Sequence, residues 1–170
     1  KMVDIQKEIE KKFPNMNKKE NFLKKSLFKI AKKIVHEDSI NQFLTQNSHL
    51  KGFEFVDAVL DYFDFDYTVS SSDLQNIPTS GKVVIIANHP LGGLDALCLL
   101  RLISQVRKDV KIVANDFLAG FEALNSLLIP IDNYKLRQSK NDIKKIYEAL
   151  NNEEAIILFP AGEVSRATPK

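Results

Sequence analysis

The chain has 170 residues, 44% of them hydrophobic and 27% charged, which suffices to bury the core of one ordinary domain. Its longest apolar runs, such as residues 83–87 and 155–159, fall far short of the roughly 20 residues that a membrane-spanning helix requires. The net charge of +2 conceals an asymmetry, because residues 1–36 hold eleven Lys and only four acids, leaving about −5 for the remainder. A basic arm of this kind suits a solvated helix face, an anionic lipid surface or nucleic acid. The start of the chain is charged from Lys1 onward and has neither the apolar core nor the small-residue cleavage site of a secretion signal. A cytoplasmic location is therefore expected.

Over residues 22–35, Leu23, Leu27, Ile30, Ala31 and Ile34 recur at helical spacing, while Lys25, Lys29, Lys32 and Lys33 occupy much of the remaining surface. This predicts a basic amphipathic helix. Residues 53–65 carry Phe55, Val56, Val59, Leu60, Tyr62 and Phe63 among acids, which predicts a second helix packed on the body with its acids toward solvent. Residues 70–81 gather Ser, Asp, Asn, Pro and Gly with little apolar periodicity and read as a connection, with a boundary near Pro78. The expected organisation is a helical N-terminal region over 1–77 and an α/β domain over 78–170.

After Gly81, short β-rich runs alternate with helical stretches, the pattern of a mainly parallel sheet with crossover helices. Strands are expected over 82–87, 110–114, 127–131 and 155–159, and helices near 94–106, 117–125 and 141–151, with Asp116 and Ser139 as caps. The single cysteine, Cys98, lies in the apolar run 94–102. An intramolecular disulfide is thereby excluded, and a buried thiol is predicted.

The first strand runs directly into Asn88-His89-Pro90-Leu91-Gly92-Gly93-Leu94-Asp95, at the carboxyl edge where open α/β sheets bind ligands. Gly92 and Gly93 allow a sharp reversal that would bring the Asp95 carboxylate to the His89 ring. An Asp on one imidazole nitrogen orients the ring, leaves the other nitrogen free as a base, and stabilises the imidazolium formed later. Alternatively, His89 merely closes a strand and Asp95 caps a helix. A metal set has little support, since one His and one Asp supply too few ligands. A second loop, Phe159-Pro160-Ala161-Gly162-Glu163-Val164-Ser165-Arg166, also lies where a strand ends. It offers close backbone approach at Gly162 and an acceptor, a hydroxyl and a donor fork at Glu163, Ser165 and Arg166. A third strand end, followed by Lys135 and Arg137, adds weaker candidates for a polar head group.

Together, NHPLGGLD and FPAGEVSR resemble, in order and position, the paired motifs of the glycerolipid acyltransferase superfamily, over roughly residues 52–166. The resemblance implies that His89, held by Asp95, deprotonates a lyso-lipid acceptor that attacks the thioester of an acyl-carrier protein or acyl-CoA directly. It implies no cofactor. The substrate would meet Asn88, Gly92, Gly93, Arg137, Phe159, Pro160, Ala161, Gly162, Glu163, Ser165 and Arg166, at the inner face of a membrane. Three departures mark the chain. Five residues separate His89 from Asp95 where the superfamily usually has four, and Ala161 stands where most members have Glu. Asn133 also replaces an Arg that phosphate-binding members often carry. These variants look like the branch that bears the hemolysin name, similar to acyltransferases that make ornithine and other amino-acid lipids. Members normally continue beyond the point matching Arg166, which implies that the α/β domain is truncated here.

Competing readings are a non-catalytic lipid-binding module on the membrane surface and a hydrolase of lipid esters or thioesters. Nucleic-acid binding is not expected, because the Lys-rich arm lacks the interleaved aromatics of a stacking platform.

Overall fold

A computed structural model describes residues 37–89, 92–114, 120–131 and 140–160. The chain divides into two compact units, residues 1–49 and 50–170. The position expected for a boundary, Pro78, falls inside the second unit. In the first unit, helix α1 (Glu37–Gln46) carries a narrow apolar stripe of Ile40, Phe43 and Leu44. It ends where the Asn47 side-chain amide donates to the Phe43 carbonyl at 2.9 Å. The basic helix expected over 22–35 lies outside the described residues.

The second unit opens with helix α2 (Gly52–Tyr62), which buries Phe55, Val56 and Leu60. It packs against helix α4 (Gly93–Ser104) and the 3-10 helix Glu122–Leu127, as expected for a helix docked on the body. Its acids are largely open to water, as expected, and Asp57 and Asp61 also receive the Arg101 guanidinium of α4 at 3.0 and 3.4 Å. The connection at 70–81 contains one short helix, α3 (Ser71–Leu74). There the Ser70 hydroxyl caps the helix by accepting from the Asp73 amide at 3.1 Å and donates to the Asp73 carboxylate at 2.7 Å.

The sheet has four parallel strands, β1 (Val83–Ile86), β2 (Val110–Ala114), β3 (Leu128–Pro130) and β4 (Ala155–Leu158), in the order β1-β4-β2-β3. The α/β class and the parallel sheet agree with expectation. The crossover through α4 runs from β1 to β2, and the one through helix α5 (Lys140–Asn151) runs the opposite way, from β3 to β4. Right-handed connections then place the two helices on opposite faces. Under α5 lie the sheet residues Val113, Ile129 and Ile156, on which the helix packs Ile146, Ala149 and Leu150, with Leu158 beside them. The alternate residues Val110, Ile112, Ala155 and Ile157 point to the other face, and all are 1% exposed or less. Burying each large aliphatic side chain contributes about 1.5–3 kcal/mol. At the edge, β1 leaves Val84 and Ile86 exposed, because α5 covers β3 and β4 and does not reach across it.

A helix was expected near 117–125, of which residues 117–119, with the expected cap Asp116, lie outside the described residues. The described part forms 3-10 turns, not an α-helix. Leu124 and Leu127, three apart, are its two buried residues, which suits a three-residue turn better than a 3.6-residue one.

The amino edge of the sheet is held by Arg107, whose side chain is only 2% exposed. Its guanidinium donates to both Asp109 carboxylate oxygens at 2.7 Å, to the Glu153 carbonyl at 2.8 Å and to the Pro78 carbonyl at 3.2 Å. The Arg107 hydrogen bonds hold the Asp109 carboxyl below the usual aspartate range. No feature of the sequence singled this residue out.

Candidate active site

The parallel pairing of β1 with β4 sets Ile86 opposite Leu158, and the ladder extends by one bond as the Ala87 amide donates to the Leu158 carbonyl at 3.2 Å. The chain segments leaving these two strands therefore emerge side by side at the carboxyl edge. His89 comes from the first and Phe159 from the second. Their rings stack, with centroids 4.1 Å apart and planes 25° from parallel.

Beyond His89 the chain turns at Gly92, whose φ of 72° and ψ of −131° suit glycine and strain any side-chain-bearing residue. That turn starts α4, and Asp95 sits in the first turn of the helix, its amide donating back to the Gly92 carbonyl at 3.1 Å. A carboxylate there is favoured by the positive end of the helix dipole. The reversal carries Asp95 to His89, with Oδ2 3.5 Å from Nδ1, and leaves the two side chains 15% and 18% exposed. His89 Nδ1 is shielded from solvent and has no hydrogen-bond partner within bonding distance among the described residues. The pair is thus close, with Nδ1 toward the carboxylate, yet longer than a hydrogen bond of about 2.9 Å. Catalytic hydrogen bonds commonly tighten only once substrate is bound. With Nδ1 toward the carboxylate, Nε2 is the nitrogen left to exchange a proton.

One turn along α4 from Asp95 lies Cys98, which is half-buried and not enclosed as expected. Burial, and next the Asp95 charge, push its thiol up from the ordinary value. Further along, the Gln105 amide donates to the Tyr67 hydroxyl at 2.7 Å. Burial raises the Tyr67 phenol as well, against the opposing influence of Arg101 and this hydrogen bond.

Among the other expected site residues, Gly92 and Gly93 form the start of α4, and Asn88 and Pro160 are exposed beside the pair. Arg137, Ala161, Gly162, Glu163, Ser165 and Arg166, with the reserve Lys135 and with Asn133, lie outside the described residues. The stack between His89 and Phe159 is the feature that sequence reasoning missed. Phe159 was grouped with the substrate contacts, and only the order of β1 and β4 reveals its nearness to His89. Among the described residues, no group of three or more His, Cys, Asp and Glu side chains could hold a metal ion.

The profile of a protein family described as acyltransferase matches residues 8–169. The chain belongs to the acyltransferase family. It is 31% identical over 166 residues to a lyso-glycine lipid O-acyltransferase of Bacteroides thetaiotaomicron, a match covering 97% of this chain and 59% of that protein. It is 32% identical over 167 residues to the lyso-glycine lipid O-acyltransferase of Phocaeicola vulgatus, covering 97% of this chain and 57% of that one. The chain thus spans less than three fifths of the length of these relatives. No solved structure matches it at a significant level. Membership agrees with the resemblance carried by the two motifs, and no described helix is long and apolar enough to cross a membrane.

Proposed function

We propose that the protein transfers a fatty acyl group from an acyl-carrier protein or acyl-CoA thioester to the hydroxyl of a lyso-lipid built on an amino acid. The observation that carries this reading is the His89–Asp95 pair at the carboxyl edge of the sheet, 3.5 Å apart, in a chain of the acyltransferase family. The names of the two relatives support a lyso-lipid acceptor and transfer to oxygen.

In this mechanism the acceptor hydroxyl attacks the thioester carbonyl carbon while His89 Nε2 takes its proton. Asp95 stabilises the imidazolium that forms. The tetrahedral intermediate then collapses, the carbon–sulfur bond breaks, and the leaving thiolate recovers the proton from His89. The products are an ester and a free thiol, with no acyl-enzyme. The backbone amides at Gly92 and Gly93, and those about Gly162, are the candidate donors for the developing oxyanion. Arg166, with Arg137 or Lys135 in reserve, would meet an anionic group on the acceptor, and Glu163 an ammonium group. The lysine-rich segment 22–35 would hold the enzyme at the inner membrane face.

The deciding experiment incubates the full chain with labelled acyl-carrier protein or acyl-CoA and a panel of lyso-lipids that includes lyso-glycine lipid. Acyl transfer should appear in the parent and fall about 10²–10⁴-fold in a folded His89→Ala variant. Release of free fatty acid without acceptor would indicate a hydrolase, and lipid binding without turnover would indicate a binding module.

A further inference from the structure

Two facts about His89 leave its orientation underdetermined by Asp95. The carboxylate is 3.5 Å from Nδ1, which attracts a charged ring without fixing the direction of an N–H bond. His89 also lies three residues beyond the end of β1 and past the last ladder bond, which is made by Ala87. Among the described residues, neither a backbone ladder nor a short hydrogen bond at Nδ1 sets the plane of the imidazole.

Phe159 meets a face of the ring. It follows Leu158 directly, and the Leu158 carbonyl accepts that last ladder bond, so its backbone is tied to the sheet. A stack 4.1 Å between centroids and 25° from parallel covers one face of the imidazole. It restricts rotation about the bond to the ring, because turning the imidazole edge-on would drive it into the phenyl face.

We propose that Phe159 is a positioning residue, which holds the His89 ring so that Nδ1 stays toward Asp95 and Nε2 points toward the acceptor. The proposal rests on the reading of His89 as the general base. It reassigns Phe159 from contact with substrate to support of the base, and it predicts a defect in turnover with little change in apparent substrate affinity.

The test uses protein with isotope-labelled histidine, in which His36, His49 and His89 are the three histidines and His89 is assigned from the His89→Ala spectrum. In the parent, the ring current of Phe159 should shift the His89 ring protons upfield. In Phe159→Leu, which keeps apolar bulk, those signals should move downfield, and kcat should fall about 3- to 30-fold with KM within about twofold. Phe159→Tyr should restore both the upfield signals and turnover, which separates loss of the stack from loss of the fold. Unmoved His89 signals in Phe159→Leu would overturn the proposal. A raised KM with unchanged kcat would do the same, returning Phe159 to the substrate contacts. If the parent shows the upfield signals but transfers no acyl group to any acceptor, the acyl-transfer reading fails and takes the positioning role with it, while the stack itself stands.

Discussion

Replacing Asp95 by Asn keeps the size of the side chain and removes the charge that faces His89. At 3.5 Å and an effective dielectric of about 20, the attraction between a full imidazolium and a carboxylate is worth about 5 kcal/mol. The pair retains some solvent access, and the proton is only partly transferred in the transition state. About half of that attraction, roughly 2–3 kcal/mol, is therefore realised, which corresponds to about a 30- to 150-fold loss of turnover. Because the charge on His89 develops during reaction, the loss should fall on kcat and kcat/KM alike and leave KM nearly unchanged. The assay is thiol release from acyl-CoA, or product ester from acyl-carrier protein, at saturating lyso-lipid, with a thermal melt to confirm folding. A folded Asp95→Asn protein that turns over within threefold of the parent refutes the role given to Asp95.

Arg107→Lys loses the planar fork that serves Asp109 and two carbonyls, and should cost about 2–4 kcal/mol, a fall of roughly 5–15 °C in Tm by calorimetry. Asp109 has its carboxyl lowered by Arg107, so its stabilisation is present above the ordinary aspartate value and fades as pH falls through the lower folded-state value. In denaturant titrations, the stability deficit of Asp109→Asn should be full at neutral pH and close in strong acid. Burial and Asp95 raise the Cys98 thiol, so iodoacetamide should react more slowly than with an exposed cysteine, and Asp95→Asn should speed the reaction at a given pH. Changing Lys25, Lys29, Lys32 and Lys33 to Glu should abolish sedimentation with anionic vesicles, since each lysine contributes about 1 kcal/mol near such a surface. Unchanged sedimentation would place membrane attachment elsewhere.

The strands were legible because β-branched runs stand between turn residues. Val110–Ala114 has the bounds its composition suggested, and the other three strands lie within one residue of theirs at each end. Helix α1 was missed because its three apolar residues make a stripe barely one turn long. Helix α3, four residues long, covers little more than one helical turn and so shows no repeat, although Ser70 and Asp73 carried a capping signal. His89 and Asp95 could be paired in advance because only a glycine turn separates them. The partnership of His89 with Phe159 could not, since it depends on strand order, a non-local property that local pattern does not encode.

Strand order also links the two ends of the sheet. Pro78, Asp109 and Glu153 precede β1, β2 and β4 respectively, and one buried guanidinium binds all three. At the opposite ends of β1 and β4, roughly 13 Å away for four residues, stand His89 and Phe159. A slip of one residue between β1 and β4 would displace Phe159 by about 3.3 Å and turn its side chain to the other face of the sheet, destroying a stack of 4.1 Å. The polar clamp at the amino edge therefore does more than offset the cost of burying a charge. It joins the entries of strands whose register sets Val83 opposite Ala155 and Ile86 opposite Leu158, the register on which the relative height of the two exit loops, and so the stack of His89 on Phe159, depends.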